Sequence, residues 1–247
     1  MNVKHLAALF VGDDAFDTDE GYQGRGQFLF AMIGTVGNHG TEMDSRTGGD
    51  YNSLPRSHPA FYSMTIIGGG SESTRSSNAL MRLREGTGGK FINLLLDNPT
   101  NIGVEIRQCA ASTWASAYQI TQDTSFISVP SNLNNYLYFS SQNIITGVPS
   151  SGSLFSIDTS SCPSTLLGFT AVQTDPLLMS AHNLWSRFEL DGGLSATLPL
   201  DPRPVCGGAA FSDVEDVAAS ALADSFYDSV SFKVRTGWPF QSCVPAF

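Results

Sequence analysis

Positive charge is scarce in this chain. Its 247 residues carry three Lys and ten Arg against 23 Asp and Glu, for a formal net charge of −10 and a sequence pI near 4.6. Nothing is left over to displace phosphate counterions, which argues against nucleic acid as a partner. Anionic lipid surfaces are disfavoured for the same reason. Long apolar runs are also missing: none approaches the ~18 residues that cross a bilayer as a helix, so membrane insertion is not expected. The opening residues MNVKHLAALFVGDD do not make a secretory leader, because the apolar run soon meets an acidic turn without a small-residue cleavage site.

Cysteine is sparse and widely spaced. Cys109, Cys162, Cys206 and Cys243 lie 53, 44 and 37 residues apart, so there is no Cys-x-x-Cys pair for zinc or thiol exchange. An even count suits one or two disulfides, with three full pairings open; four buried thiols are the plainer alternative. Other chemistry-bearing motifs are absent too. There is no Gly-x-Ser-x-Gly elbow and no His-Glu-x-x-His, and GTGGKF lacks both the first Gly and the Ser/Thr of a phosphate loop.

What the chain does contain is turns and short strands. With 24 Gly and 12 Pro, apolar runs such as QFLFAMIG, AFYSMTIIG, KFINLLLD, IGVEI and TLLGFTAV are repeatedly cut by Gly, Asn, Asp or Pro. The fold class expected is all-β. The recurrence of these runs at irregular intervals of ~10 to 35 residues suggests the coils of a right-handed parallel β-helix, each burying its apolar face on the next. A β-sandwich is the competing architecture. One short helix is expected at Ser212–Phe226, where Ser212 and Glu215 form a capping box. The whole of 1–247 reads as a single domain, with 212–247 as a divergent tail or cap.

The stretch GDDAFDTDEG puts five carboxylates into ten residues. If it is extended, Asp13, Asp17 and Asp19 share one face and Asp14, Phe16 and Thr18 the other. Two carboxylates ~5 Å apart repel by roughly 0.8 kcal/mol in water and by more where water is excluded, so something must compensate. Calcium, which takes six to eight oxygens, is one answer, with Asp13, Asp17, Asp19 and Glu20 as ligands. Turn capping by the same side chains is the plainer one.

The segments VKHLAALFVGDDAFDTDEGYQGRGQFLFAMIG, GNHGTEMDS, NALMRLREGTGGKFINLLLD and DPRPVCGGAAF resemble secreted right-handed parallel β-helix proteins of the kind predicted in marine bacteria. The likeness runs with gaps from Asn2 to Phe211 and is most specific over the first 45 residues. It implies an extracellular or cell-surface location, with any targeting segment outside this chain. Members of that family carry further coils before the position of Val3. The chain therefore resembles the C-terminal part of a longer solenoid, whose open first coil a partner or missing residues would cover. The family implies no established activity.

A second resemblance is to polygalacturonase-type β-helices, in which Asp-Asp, Gly-His-Gly and Arg-x-Lys follow in order. Here Asp13-Asp14, Asn38-His39-Gly40 and Glu105-Ile106-Arg107 stand in those places, with Asn for the first Gly and no final Lys. That likeness implies Asp13, Asp14, Asp17 and His39 as acid–base candidates for cleaving a glycosidic bond. For a lyase, Arg82, Arg84 and Lys90 are the cations to consider. The ordinary account of the two arginines is a strand edge with Arg–Asp pairs. Tyr22, Tyr51, Tyr62, Trp114 and Trp185 lie near polar turns, where rings can stack on sugars. The function expected is structural, adhesive or glycan-contacting. The alternatives are a polysaccharide hydrolase or lyase, or a subunit that packs against a neighbouring protein in a larger assembly.

Overall fold

A computed structural model describes residues 1–45, 51, 54–75, 79–109, 119–121, 136–139, 143–162 and 171–173. Among the described residues the strands are β1 (Val3–Leu9), β2 (Phe16–Thr18), β3 (Arg25–Met32), β4 (Thr41–Met43), β5 (Ala60–Ile67), β6 (Ala79–Leu83), β7 (Gly89–Asp97), β8 (Ile102–Ile106), β9 (Gln119–Thr121), β10 (Tyr136–Phe139), β11 (Ile144–Thr146) and β12 (Ser153–Ile157). They form two sheets. The first runs β1-β3-β5-β7-β10-β9, with β11 also on β7; the second runs β12-β8-β6-β4-β2. Every named pairing is parallel. A sandwich is built from antiparallel strands, so that alternative is excluded. The chain is a right-handed parallel β-helix. Residues 212–247, with the expected helix and Cys243, lie outside the described residues, as does Cys206.

Each of the first four coils contributes one long strand to the first sheet and one shorter strand to the second. The register Val3↔Gly26↔Phe61↔Phe91 advances by 23, 35 and 30 residues per coil. Extra length is taken up in the loops, because the strands must stack to complete their hydrogen bonds. The long strands do not run straight through. His5, Phe28, Ser63 and Asn93 occupy one stacked position and all have left-handed backbone, with φ of 53°, 57°, 52° and 56°. That column puts a bend in each long strand, which then continues in the same sheet. In the fifth coil the buried Asn143 amide takes over at the same bend. Its Oδ1 accepts from Leu94 N–H at 2.9 Å and its Nδ2 donates to Phe91 O at 2.9 Å.

Alternation explains the core. Leu29, Met64 and Leu94 stack inward, as do Ala31, Ile66 and Leu96, and they meet Met43, Met81, Leu83, Val104 and Ile106 from the second sheet. Fully burying each such side chain contributes about 1.5–3 kcal/mol. Phe30, Met32, Ile67 and Leu95 alternate out of this core and are nevertheless buried. The outer face of the first sheet is therefore covered over these coils, and among the described residues Val172 packs on Leu95 and Ile144. A disulfide joins Cys109 to Cys162, just past β8 and β12, with Cα atoms 4.8 Å apart.

Candidate functional site

The second sheet presents the polar face. In β2, β4, β6, β8 and β12 the flanking positions point in, and the register places Asp17, Glu42, Arg82, Glu105 and Ser156 in one outward row. Continuing each strand by hydrogen bonds gives a second row of Asp19, Asp44, Arg84, Arg107 and Asp158. Rungs in a sheet lie ~4.8 Å apart, so carboxylates and guanidinium groups on neighbouring coils meet directly.

They pair in a lattice. Arg84 Nε donates to both Asp44 oxygens at 2.9 and 2.8 Å, and its Nη2 reaches Asp44 at 2.7 Å and Glu42 at 3.2 Å. Arg82 donates to Glu105 at 2.6 Å and to Glu42 at 3.3 Å. Arg107, more exposed, lies 3.9 Å from Glu105. The Asp44 hydrogen bonds hold the Arg84 guanidinium far above its ordinary value. Burial pushes Asp44 up while those same bonds pull it down. At 2.7–2.9 Å with a two-pronged geometry the pair is ionic.

Beneath the first row lies a tighter group. Asp14 precedes β2, His39 precedes β4, and Glu42 sits within β4. His39 Nδ1 is 2.7 Å from Asp14 Oδ1 and 3.8 Å from Glu42 Oε1. Its backbone N–H also donates to Asp14 Oδ1, at 2.8 Å. The ring is fully buried, and Nε2 is buried without a hydrogen-bond partner. The ring proton is accordingly placed on Nδ1 and given to Asp14, since a proton on Nε2 would have no acceptor. Burial raises Asp14, but the bonds from His39 outweigh it and the carboxyl lies below its ordinary value. Glu42 is raised by burial first and then by Asp44 and Asp14. The Asp14, His39 and Glu42 ligand atoms lie within 4.8 Å of one another, close enough to hold a divalent metal ion.

The candidates from the acidic stretch separate. Asp14 and His39 are brought together across two coils. Asp13 is exposed, and its backbone carbonyl accepts from Asn38 N–H at 3.1 Å. Asp17 is exposed in the outer row, its carboxyl raised by burial and then by Asp44, Asp14 and Asp19. Asp19 caps its own turn, accepting from Glu20 N–H at 2.7 Å, and Glu20 is exposed with φ of 48°. Among the described residues, the three side chains grouped tightly enough to share an ion include Asp14 but not Asp13, Asp17, Asp19 or Glu20. Glu105 and Arg107 stand two coils from β4, engaged with Arg82 and each other. Lys90 is buried on the first sheet, where desolvation lowers its pKa. Tyr62 is buried, and Trp114 and Trp185 lie outside the described residues.

Glu42, Asp44 and Glu105 escaped sequence reasoning as a group. The signal was the alternation Thr41-Glu42-Met43-Asp44, which is that of a strand with one buried face.

A family model for pectate-lyase-like β-helix domains matches residues 1–151. The chain belongs to this family. No curated protein and no solved structure matches it. As a pectate-lyase-like β-helix domain it carries its polar rows on the second sheet, while the outer face of the first is buried from β3 to β7 and open at β1. Among the described residues of this domain, no helix is long and apolar enough to cross a membrane.

Proposed function

We propose that this protein is an extracellular or cell-surface β-helix that contacts an extended glycan along its second sheet, without cleaving it. The observation that carries this reading is the pair of outward rows repeating once per coil from Asp17 to Ser156 and from Asp19 to Asp158. A polymer of pyranose units lying across the coils would meet a similar polar rung at each step. Arg82 and Arg84 are engaged by carboxylates, which leaves them poorly placed to neutralise a polyuronate. Uncharged or amino-bearing glycans are the class this face suits. A buried Cys109–Cys162 disulfide fits an oxidising compartment.

Catalysis is the weaker reading because His39 is fully buried and cannot reach a sugar. Calcium enters at the edge of the sheet. Asp17 and Asp19 are exposed there, near enough for Asp19 to raise the Asp17 carboxyl, and a hard cation would bridge their oxygens to sugar hydroxyls. Affinity electrophoresis against neutral, amino-bearing and acidic polysaccharides, run with calcium and with EGTA, tests the proposal. Retardation by neutral or amino-bearing polymers is expected, weakened at least fivefold by the double variant Asp17→Asn, Arg107→Ala. No retardation by any polymer, or release of new chain ends, would sink it.

A further inference from the structure

Two carboxylates converge on one nitrogen in the Asp14–His39–Glu42 group. Nδ1 carries a single proton and gives it to Asp14 at 2.7 Å, so the Glu42 oxygen at 3.8 Å is not served by that nitrogen and is held from the other side, by Arg82 at 3.3 Å. The group is also well shielded: the side chains of His39, Asp14 and Glu42 are 0%, 8% and 12% exposed. This separates it from the open acidic edge at Asp17 and Asp19. We propose that Asp14, His39 Nδ1 and Glu42 form a structural site for a first-row divalent ion of zinc type, which ties the first coil to the second.

The donor set decides the ion class. Calcium and magnesium take oxygen ligands, six or more around calcium, whereas one imidazole with two carboxylates suits zinc and its neighbours. The three protein donors leave a fourth position for water on the side where Glu42 and Asp14 retain some exposure. An ion on Nδ1 moves the ring proton to Nε2, which is buried with no acceptor. Losing such an outer hydrogen bond costs ~10–100-fold in metal affinity. The site therefore binds ~10–100-fold more weakly than one whose imidazole keeps that outer bond. This inference does not depend on glycan contact.

The test is isothermal titration of the EDTA-stripped full chain with zinc and, separately, with calcium, paired with thermal melts. One equivalent of zinc is expected to bind and raise the melting temperature, and Glu42→Gln is expected to weaken it at least tenfold. Asp158→Asn, remote on the fifth coil, is expected to bind like wild type. Circular dichroism checks that each variant is folded. If Glu42→Gln does not fold, cobalt titration of the wild-type chain decides: visible bands of a four- or five-coordinate site support the proposal, and their absence overturns it. Calcium binding as tightly as zinc, zinc binding unchanged in folded Glu42→Gln, or no saturable zinc binding would each overturn it as well.

Discussion

Asp14 holds His39 twice: one carboxylate oxygen meets both the ring Nδ1 at 2.7 Å and the backbone N–H at 2.8 Å. The two residues lie on successive coils, 25 positions apart. Asp14→Asn keeps an acceptor at that place and is expected to be mild. Asp14→Ala leaves a buried N–H and a ring nitrogen unpartnered and is expected to cost about 2–6 kcal/mol, at 1–3 for each. Urea denaturation of both variants measures the difference. Equal loss in the two would show that charge rather than the acceptor matters.

The acidic face sets a pH dependence. Asp17, Glu42, Asp44 and Glu85 all have carboxyls raised in the folded chain, chiefly by burial. A raised carboxyl binds its proton more tightly folded than unfolded. Its contribution is complete below the unfolded value and is lost as pH rises through the folded one. Asp14 is lowered and acts oppositely, its contribution being lost as pH falls through its folded value. Melting temperature is therefore expected to rise as pH falls through the raised carboxyls toward their unfolded values of about 4, and to fall again in stronger acid as Asp14 is protonated. Asp17→Asn should flatten the rise. A melting temperature that drops steadily from neutral pH downward would contradict this.

The Cys109–Cys162 bond spans 53 residues and pins the end of β8 to the end of β12. Replacing both cysteines with serine is expected to cost about 2–4 kcal/mol, as closing a long loop predicts. Reductant should shift the wild-type melt by that much more than it shifts the variant's. An unchanged melt in the double variant would mean that packing alone fixes the fifth coil.

Asn143→Leu tests the bend in the long strands. The amide spans Phe91 O and Leu94 N–H from a fully buried position, and leucine is close to its size but cannot bond. Two unsatisfied backbone groups are expected to cost about 2–6 kcal/mol, at 1–3 for each. Hydrogen exchange at Leu94 should accelerate first. Protection at Leu94 that matches wild type would rule out this role.

Much of the fold was legible because it is local. Near-continuous apolar runs such as QFLFAMIG and KFINLLLD, cut by turns, mark strands buried on both faces, and β7 is buried at all nine positions. The paired arginines were legible too: Met81 and Leu83 point inward, so Arg82 and Arg84 must point out.

What the chain could not announce is which carboxylates meet. The coils advance by 23, 35 and 30 residues, and no local pattern encodes those unequal steps. Yet they bring Asp14 rather than its neighbour Asp13 to His39, and place Glu42 between two arginines from the next coil. A strand's side chains alternate between faces, so a shift of one residue would send Asp14 outward and Asp13 in. The sequence by itself determined a stack of parallel strands with an acidic first coil. Only the tertiary register, set by packing of the coils on one another, decided which of those acids is buried against an imidazole and which remains in water.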